Sequence, residues 1–140
     1  MNVKEWLSRA YKIDQQITSK QEQIERWRSL AEKISSVPNG PRVQGGAGDN
    51  RVESYCIKIA DAELDIKRQL DDLVTIKKEI SDMINQLPDY AFRVLLEQRY
   101  LLCKSWEDIA SFMEYSVRHV TKSLHPKALH YIEAYIRLAG

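Results

Sequence analysis

The sequence is poor in the residues that mark disulfide-rich, metal-binding and membrane proteins. Its two cysteines, Cys56 and Cys103, are far apart and form no CxxC pair, which argues against a disulfide framework or a zinc site and fits a reducing compartment. No apolar run approaches the roughly 20 residues of a membrane span. The first residues, MNVKEWLSRAYK, lack the apolar core of a signal peptide. We therefore expect a soluble protein of the cell interior with no membrane partner.

Net charge is also nearly absent from the chain. It has 21 basic and 20 acidic residues, and its formal net charge is +1. This balance produces no whole-chain attraction to nucleic acid, so any DNA-binding surface has to come from a local patch.

Glycine and proline are scarce except in one stretch. Residues 37–51 hold four of the five glycines and two of the four prolines. This composition predicts a flexible loop between two helices. Asp49 or Asn50 is expected to cap the helix that follows it.

Two long segments on either side of this loop have apolar residues at heptad spacing. The segments are residues 3–36 and 52–87, and Lys20 fills one apolar place in the first. Matched apolar stripes joined by a loop predict an antiparallel helical hairpin at 1–87. Apolar residues remain outside the stripes and predict a second contact, either with the C-terminal part or with another copy of the chain in a homodimer. They are Leu7, Leu30, Leu64 and Val74.

The remaining residues, 88–140, also carry helical patterns. Pro88 is expected in the first turn of a helix at 88–102. The residues expected to face inward from this helix are Ala91, Val94, Leu95 and Leu102. Further helices are predicted at 106–113, from 117, and at 127–138. With no alternating strand pattern, the fold class is all-α.

Residues 105–125, SWEDIASFMEYSVRHVTKSLH, match the spacing of a helix-turn-helix. Ser105 and Ser116 are the expected N-caps, and Tyr115 is expected to fill the turn. The residues expected in the core are Ile109, Ala110, Met113, Val120 and Leu124. No acid occurs between Ser116 and Tyr131, so positive charge is concentrated on the second helix.

The outer face of this second helix predicts DNA contacts in a major groove. The candidate residues are Ser116, Val117, Arg118, His119, Thr121 and Lys122, with Lys127 beyond them and Arg99 and Lys104 as phosphate contacts. Arg99 has an alternative role, which is an ion pair with Glu107 or Asp108 within the fold. A helix-turn-helix that binds no nucleic acid, with these bases simply solvated, is the alternative for the whole motif.

The C-terminal sequence resembles the sigma-factor region 4 type of helix-turn-helix. More specifically, it resembles small phage and prophage proteins of Gram-positive bacteria, with the pattern LxxRYxxxxSWxxIAxxMxYSxRxVxxxHxxAL. The matching residues are Leu96, Arg99, Tyr100, Ser105, Trp106, Ile109, Ala110, Met113, Tyr115, Ser116, Arg118, Val120, His125, Ala128 and Leu129. YKIDQQI, RVQGG and DNRVE extend the resemblance to the N-terminal half. The resemblance implies a phage transcription regulator in the host cytoplasm, with double-stranded DNA and RNA polymerase as partners.

Three residues depart from the pattern. Lys104 and Glu114 stand where related domains often have glycine. Pro126 follows His125 directly and is expected to kink or break the C-terminal helix, so that the recognition helix ends near Leu124.

The sequence contains no constellation typical of an enzyme. The three histidines do not match HExxH, and His125 is expected to pack or cap a helix end. GGAGDN lacks the GK[ST] ending of a phosphate loop. We expect no enzyme activity and no cofactor. The rival functions are a protein-interaction module acting on RNA polymerase or a host regulator, and a phage enzyme accessory or packaging component.

Overall fold

The computed structural model describes residues 2–35 and 47–139, and within those ranges every regular element is helical. This confirms the all-α class. The helices are α1 (Val3–Leu7), α2 (Arg9–Ser35), α3 (Ala47–Ile84), α4 (Tyr90–Leu96), α5 (Trp106–Met113), α6 (Val117–His119) and α7 (His125–Ala139). Two π-helical turns, Glu97–Leu101 and Val120–Leu124, follow α4 and α6 directly.

The chain divides into two compact units. The smaller unit is Asp14–Asp72, and the larger unit combines Met1–Ile13 with Leu73–Gly140. Both α2 and α3 therefore contribute residues to both units. The predicted halves, 1–87 and 88–140, stay a prediction.

In the smaller unit, α2 and α3 run in opposite chain directions. Gln69 Nε2 donates to Gln16 Oε1 at 2.8 Å, and Arg28 Nη2 lies 2.6 Å from Glu63 Oε1. The apolar side chains buried in this unit are Ile17, Ile24, Ala62 and Ile66. The heptad spacing predicts three of these four residues as part of the apolar stripes, and it does not predict Ala62.

Lys20 occupies an apolar heptad position, as the sequence indicated. Its Nζ lies 3.5 Å from Asp65 Oδ2, and the two side chains are 31% and 50% exposed. An ion pair with this much exposure contributes at most about 1 kcal/mol. We therefore interpret this ion pair as a contact that sets the register of α2 against α3 and adds little to stability.

The first residues of α3 differ from the prediction. The helix begins at Ala47, so Asp49 and Asn50 lie inside its first turn instead of capping it. Asp is favoured both at the cap position and in the first turn, because both positions face the positive end of the helix dipole. The residue type alone does not distinguish the two positions, so the predicted start of the helix is too late. Of the predicted loop, residues 37–46 lie outside the described residues.

The N-terminal helix also differs from the prediction, because a turn at Ser8 separates α1 from α2. Asn2 caps α1: its Oδ1 accepts a bond from the Glu5 N–H at 2.9 Å, and its own N–H donates to the Glu5 carboxylate at 3.4 Å. This reciprocal pair is a capping box. Leu7, an apolar residue left over from the heptad, is fully buried in the larger unit, where α1 packs on α7.

The helix predicted at 88–102 begins at Tyr90, and its second part is a wide π-helical turn. Asp89 is its N-cap, with Oδ1 accepting from the Ala91 N–H at 2.8 Å, so Pro88 precedes the helix instead of opening it. A carboxylate cap is a strong start signal, and proline is equally acceptable just before it.

Of the residues expected to face inward from this segment, Leu95 is fully buried but Ala91 and Val94 are half-buried and Leu102 is 57% exposed. The π turn at Glu97–Leu101 adds a residue to one helical turn and changes the spacing of the inward face. The residues that join Leu95 inside are Phe92, Leu96 and Tyr100.

The sequence predicts a kink or a break at Pro126, and the break does not occur. Helical structure runs without interruption from α6 through the turn Val120–Leu124 into α7. The His125 N–H donates to the Val120 carbonyl, five residues back. Such a wide turn accommodates a proline ring, which would collide with the carbonyl four residues back in a regular α-helix.

Candidate nucleic-acid interface and cationic pocket

A hydrogen bond between residues close in sequence determines where α5 begins. Ser105 has extended backbone angles, and its Oγ accepts a bond from the Asp108 N–H at 3.1 Å. This confirms Ser105 as the N-cap. Ile109 and Ala110 are buried as predicted, and Met113 is half-buried. The cap and the buried pair together fix which side of α5 faces the core.

The turn after α5 contains a left-handed residue that is not glycine. Glu114 has φ 62° and ψ 38°. The Tyr115 N–H donates to the Ala110 carbonyl at 3.0 Å, and the Glu114 N–H donates to the Ser111 carbonyl at 3.3 Å. This pair of bonds is the Schellman arrangement, in which glycine usually takes the left-handed place. Glu114, at a position where related domains often have glycine, therefore carries the steric cost of a left-handed backbone.

Tyr115 does not fill the turn as predicted. Its side chain is 45% exposed, and its ring lies edge-on to the ring of His119 with 4.9 Å between centroids. The ring contact links the turn to the first residues of the second helix.

The second helix begins at a cap of the predicted kind. Ser116 Oγ accepts from the His119 N–H at 3.1 Å, and the Ser116 carbonyl accepts from the Val120 N–H at 3.1 Å. Val120 is fully buried. Leu124 is only half-buried, and the buried residue at this end is His125 at 6% exposure. The π turn explains the change, because it places the inward position five residues after Val120 instead of four.

Most of the candidate DNA-contacting residues are exposed. Those with exposed side chains are Ser116, Val117, Arg118, His119, Lys122, Lys127 and Lys104. Thr121 is half-buried, and its Oγ1 donates to the Val117 carbonyl at 2.9 Å. The Thr121 hydroxyl proton is thus used within the helix, which makes Thr121 a weaker candidate than Arg118 or Lys122.

Arg99 is held in place by contacts other than the expected ion pair. Its Nη1 donates to the Lys104 carbonyl at 2.9 Å, and its guanidinium lies 4.3 Å from the ring centroid of Trp106. Among the ion pairs of the described residues, none joins Arg99 to Glu107 or Asp108. The alternative of an ion pair is therefore wrong, and the arginine is instead pre-positioned beside Lys104.

A pocket of about 440 Å³ opens between these residues and the N-terminal helix. All of its lining residues belong to the larger unit. They are Lys4, Ser8, Tyr11, Arg99, Tyr100, Cys103, Lys104, Ser105, Trp106 and His125. The lining contains three cations and no carboxylate. We call this site the cationic pocket.

Tyr100 and His125 meet at the inner wall of the cationic pocket. Tyr100 Oη and His125 Nε2 are 2.7 Å apart, and the Trp106 ring lies edge-on to the imidazole at 4.7 Å. Burial, together with the smaller effects of the charges of Lys4 and Arg99, lowers the pKa of His125 to about 4. Burial raises the pKa of Tyr100 to about 12 against the opposing effect of Arg99. At neutral pH both groups are therefore uncharged.

Sequence patterns missed the cationic pocket. Lys4 and Ser8 belong to a segment that the heptad assigned to the hairpin, and no local signal relates them to Arg99 or Lys104. His125 was expected to pack or cap a helix end, and its burial confirms that it packs. The two π turns that carry Tyr100 and His125 inward have no sequence signature of their own.

The described residues were also searched for metal sites and for membrane-spanning helices, and they contain neither. Within residues 2–35 and 47–139, no group of three or more His, Cys, Asp or Glu side chains is placed to hold a metal ion. None of the helices described there is long and apolar enough to span a membrane.

Comparison of the chain with models of known protein families, with curated proteins and with solved structures gives no match. The resemblance to sigma-region-4-like phage proteins therefore stays a prediction.

Proposed function

We propose that this protein is a phage-type transcription regulator that binds double-stranded DNA through a sigma-region-4-like helix-turn-helix formed by α5 and the helix beginning at Val117. RNA polymerase is its proposed co-binder. The proposal includes a helical hairpin, formed by α2 and α3, as the surface for polymerase or for a second copy of the chain.

One observation carries the DNA-binding proposal. The segment from Ser116 to Tyr131 has no acid, and Arg118 and Lys122 are exposed on it four residues apart. In a chain of net charge +1, this segment is a local cationic surface at the start of a capped helix. Such a helix end fits the major groove, where side chains reach base edges and phosphates.

The residue types indicate which side chains would contact phosphates and which would contact bases. Lys122 and Lys127 would contact phosphates, which supplies affinity and salt dependence without sequence information. Arg118 would read a base edge, because its planar guanidinium matches the two acceptors of guanine. A single module of this size contacts few bases, which is the reason for proposing a co-binder or a dimer.

The hairpin proposal is supported by the antiparallel contacts in the smaller unit. Apolar side chains on α3 remain exposed in that unit, among them Ile57 at 56% and Leu64 at 50%. Such a surface suits a helical partner.

A second candidate function is a protein-interaction module without direct DNA binding. Phe112 on α5 is 64% exposed, and Val117 is 40% exposed. The acids Glu107, Asp108 and Glu114 occur on or directly after the same helix. An exposed aromatic residue near acids favours a basic protein partner and disfavours DNA on that side.

The decisive experiment measures binding to promoter-length duplex DNA from 50 to 300 mM salt, with and without RNA polymerase. The variant is Arg118→Ala with Lys122→Ala. We expect it to bind at least about tenfold more weakly and to lower the slope of log affinity against log salt by about 1, since Lys122 is the one phosphate contact that it loses and each such contact contributes about 0.9.

The matched control is Lys67→Ala with Arg68→Ala, which removes the same charge from exposed positions on α3. In the absence of polymerase, it should bind DNA like the wild type apart from a small general electrostatic effect. If the wild type shows no salt-dependent binding in either condition, the DNA-binding proposal fails. Equal loss in both double variants would show that net charge, and not this surface, governs binding.

A further inference from the structure

We propose that the cationic pocket binds a small molecule that carries a phosphate group and a planar ring, of the mononucleotide class. This inference is independent of the DNA-binding proposal. It depends on the charges, the prearranged arginine and the aromatic walls of the pocket.

The charge of the pocket is unbalanced. Lys4, Arg99 and Lys104 line it, and none of its lining residues is acidic. The chain as a whole is almost neutral, so three cations around one concavity are a local excess. Clustered cations repel one another, and a bound phosphate would offset this repulsion while accepting charge-assisted hydrogen bonds.

Arg99 is already fixed in a geometry that suits an anion. One of its N–H groups donates to the Lys104 carbonyl, and its Cζ lies over the Trp106 ring, 4.3 Å from the ring centroid. A guanidinium has five N–H donors. Because the arginine is half-buried and held at two points, it would lose little conformational entropy when a phosphate binds to the remaining donors.

The size and walls of the pocket indicate more than an inorganic ion. Its volume of about 440 Å³ lies within the usual range of small-molecule sites, roughly 300 to 1,000 Å³. Tyr11, Tyr100 and Trp106 line it together with the hydroxyl of Ser105. Aromatic walls beside cations favour a planar ring joined to a phosphate. The concavity, with buried Tyr100 and His125 at its wall, also favours a small molecule over a DNA backbone.

Calorimetric titration of the full chain tests the proposal, with AMP, inorganic phosphate and adenosine as probes. The variants are Lys4→Gln and Lys104→Gln, and the control is Lys78→Gln, an exposed lysine of the larger unit that lies outside the pocket. All three positions are exposed, so the variants should fold, and circular dichroism melting checks this. We expect one AMP per chain, about tenfold weaker binding in each pocket variant, and wild-type binding in the control. Adenosine should bind at least about tenfold more weakly than AMP.

A second readout uses the imidazole of His125, which faces Tyr100, Trp106, Lys4 and Arg99 in the pocket wall. A phosphate in the pocket would counter the two cations, so its binding should raise the pKa of His125 in an NMR titration. The NMR signals of His130, which is exposed, should not respond to the added ligand.

Three results would overturn the proposal. One is the absence of saturable binding of AMP or phosphate at millimolar concentration. Another is equal binding by the pocket variants and the Lys78→Gln control. The third is displacement of AMP by duplex DNA together with weaker DNA binding of Lys4→Gln, which would assign the pocket to the DNA backbone.

Discussion

Replacing His125 with glutamine should make the free energy of unfolding of this protein less sensitive to acid, because the variant lacks one buried titratable group. The imidazole is 6% exposed and forms a 2.7 Å hydrogen bond with Tyr100. It contacts the ring of Trp106, and the positive charges of Lys4 and Arg99 act on it. Protonation of His125 would place a charge in a buried site that already has positive neighbours.

The size of the effect follows from the pKa. Burial lowers the pKa of His125 from 6.5 to about 4 in the folded protein. Between these pH values the unfolded chain binds a proton that the folded chain does not, so the free energy of unfolding falls as the pH falls from 6.5 towards 4. The difference is about 2.5 pKa units, which corresponds to roughly 3 kcal/mol in full. Below about pH 4 both states are protonated and this loss stops.

Urea unfolding followed by circular dichroism at pH 7.5, 6.0, 5.0 and 4.0 measures the effect. Wild type should lose roughly 2 to 3 kcal/mol more than His125→Gln between the highest and lowest pH. The variant starts lower at pH 7.5, because it lacks the ring packing, but only the pH-dependent change is compared. Carboxylates titrate in both proteins and cancel in the difference. Equal losses in the two proteins would refute a neutral, buried His125.

Two further predictions concern the turn and the core of the larger unit. Glu114→Gly should raise the free energy of unfolding by about 1 kcal/mol, because glycine has no steric penalty at φ 62°; Ser111→Gly, in the helix before it, should lower it by about 0.5 kcal/mol. A neutral or destabilising Glu114→Gly in thermal and urea unfolding would contradict the strain argument. Ile109→Ala should cost about 2 to 4 kcal/mol because Ile109 is fully buried, whereas Ile57→Ala, at a site 56% exposed, should change stability by less than about 1 kcal/mol. Comparable losses at the two sites would mean that the exposed face of α3 is covered in solution.

The helices and two of their caps followed from the sequence because their causes are local. Ser105 and Ser116 each bond to an N–H three residues ahead, so a short stretch of chain is enough to identify them. The burial of Ile109, Ala110 and Val120 followed from regular spacing within one element. The exposure of Arg118 and Lys122 followed from the same spacing.

The cationic pocket was decided only by the tertiary structure. Tyr100 and His125 point inward because a π turn in each helix moves the inward position by one residue, and periodicity at 3.6 residues per turn cannot indicate such a turn. A π turn weakens regular helical bonding, and it persists here where Tyr100 and His125 are both buried and bonded to each other. Lys4 reaches the same site from a helix at the other end of the chain. The sequence by itself thus determined the helices and the cationic segment after Ser116, and packing between distant segments determined the pocket.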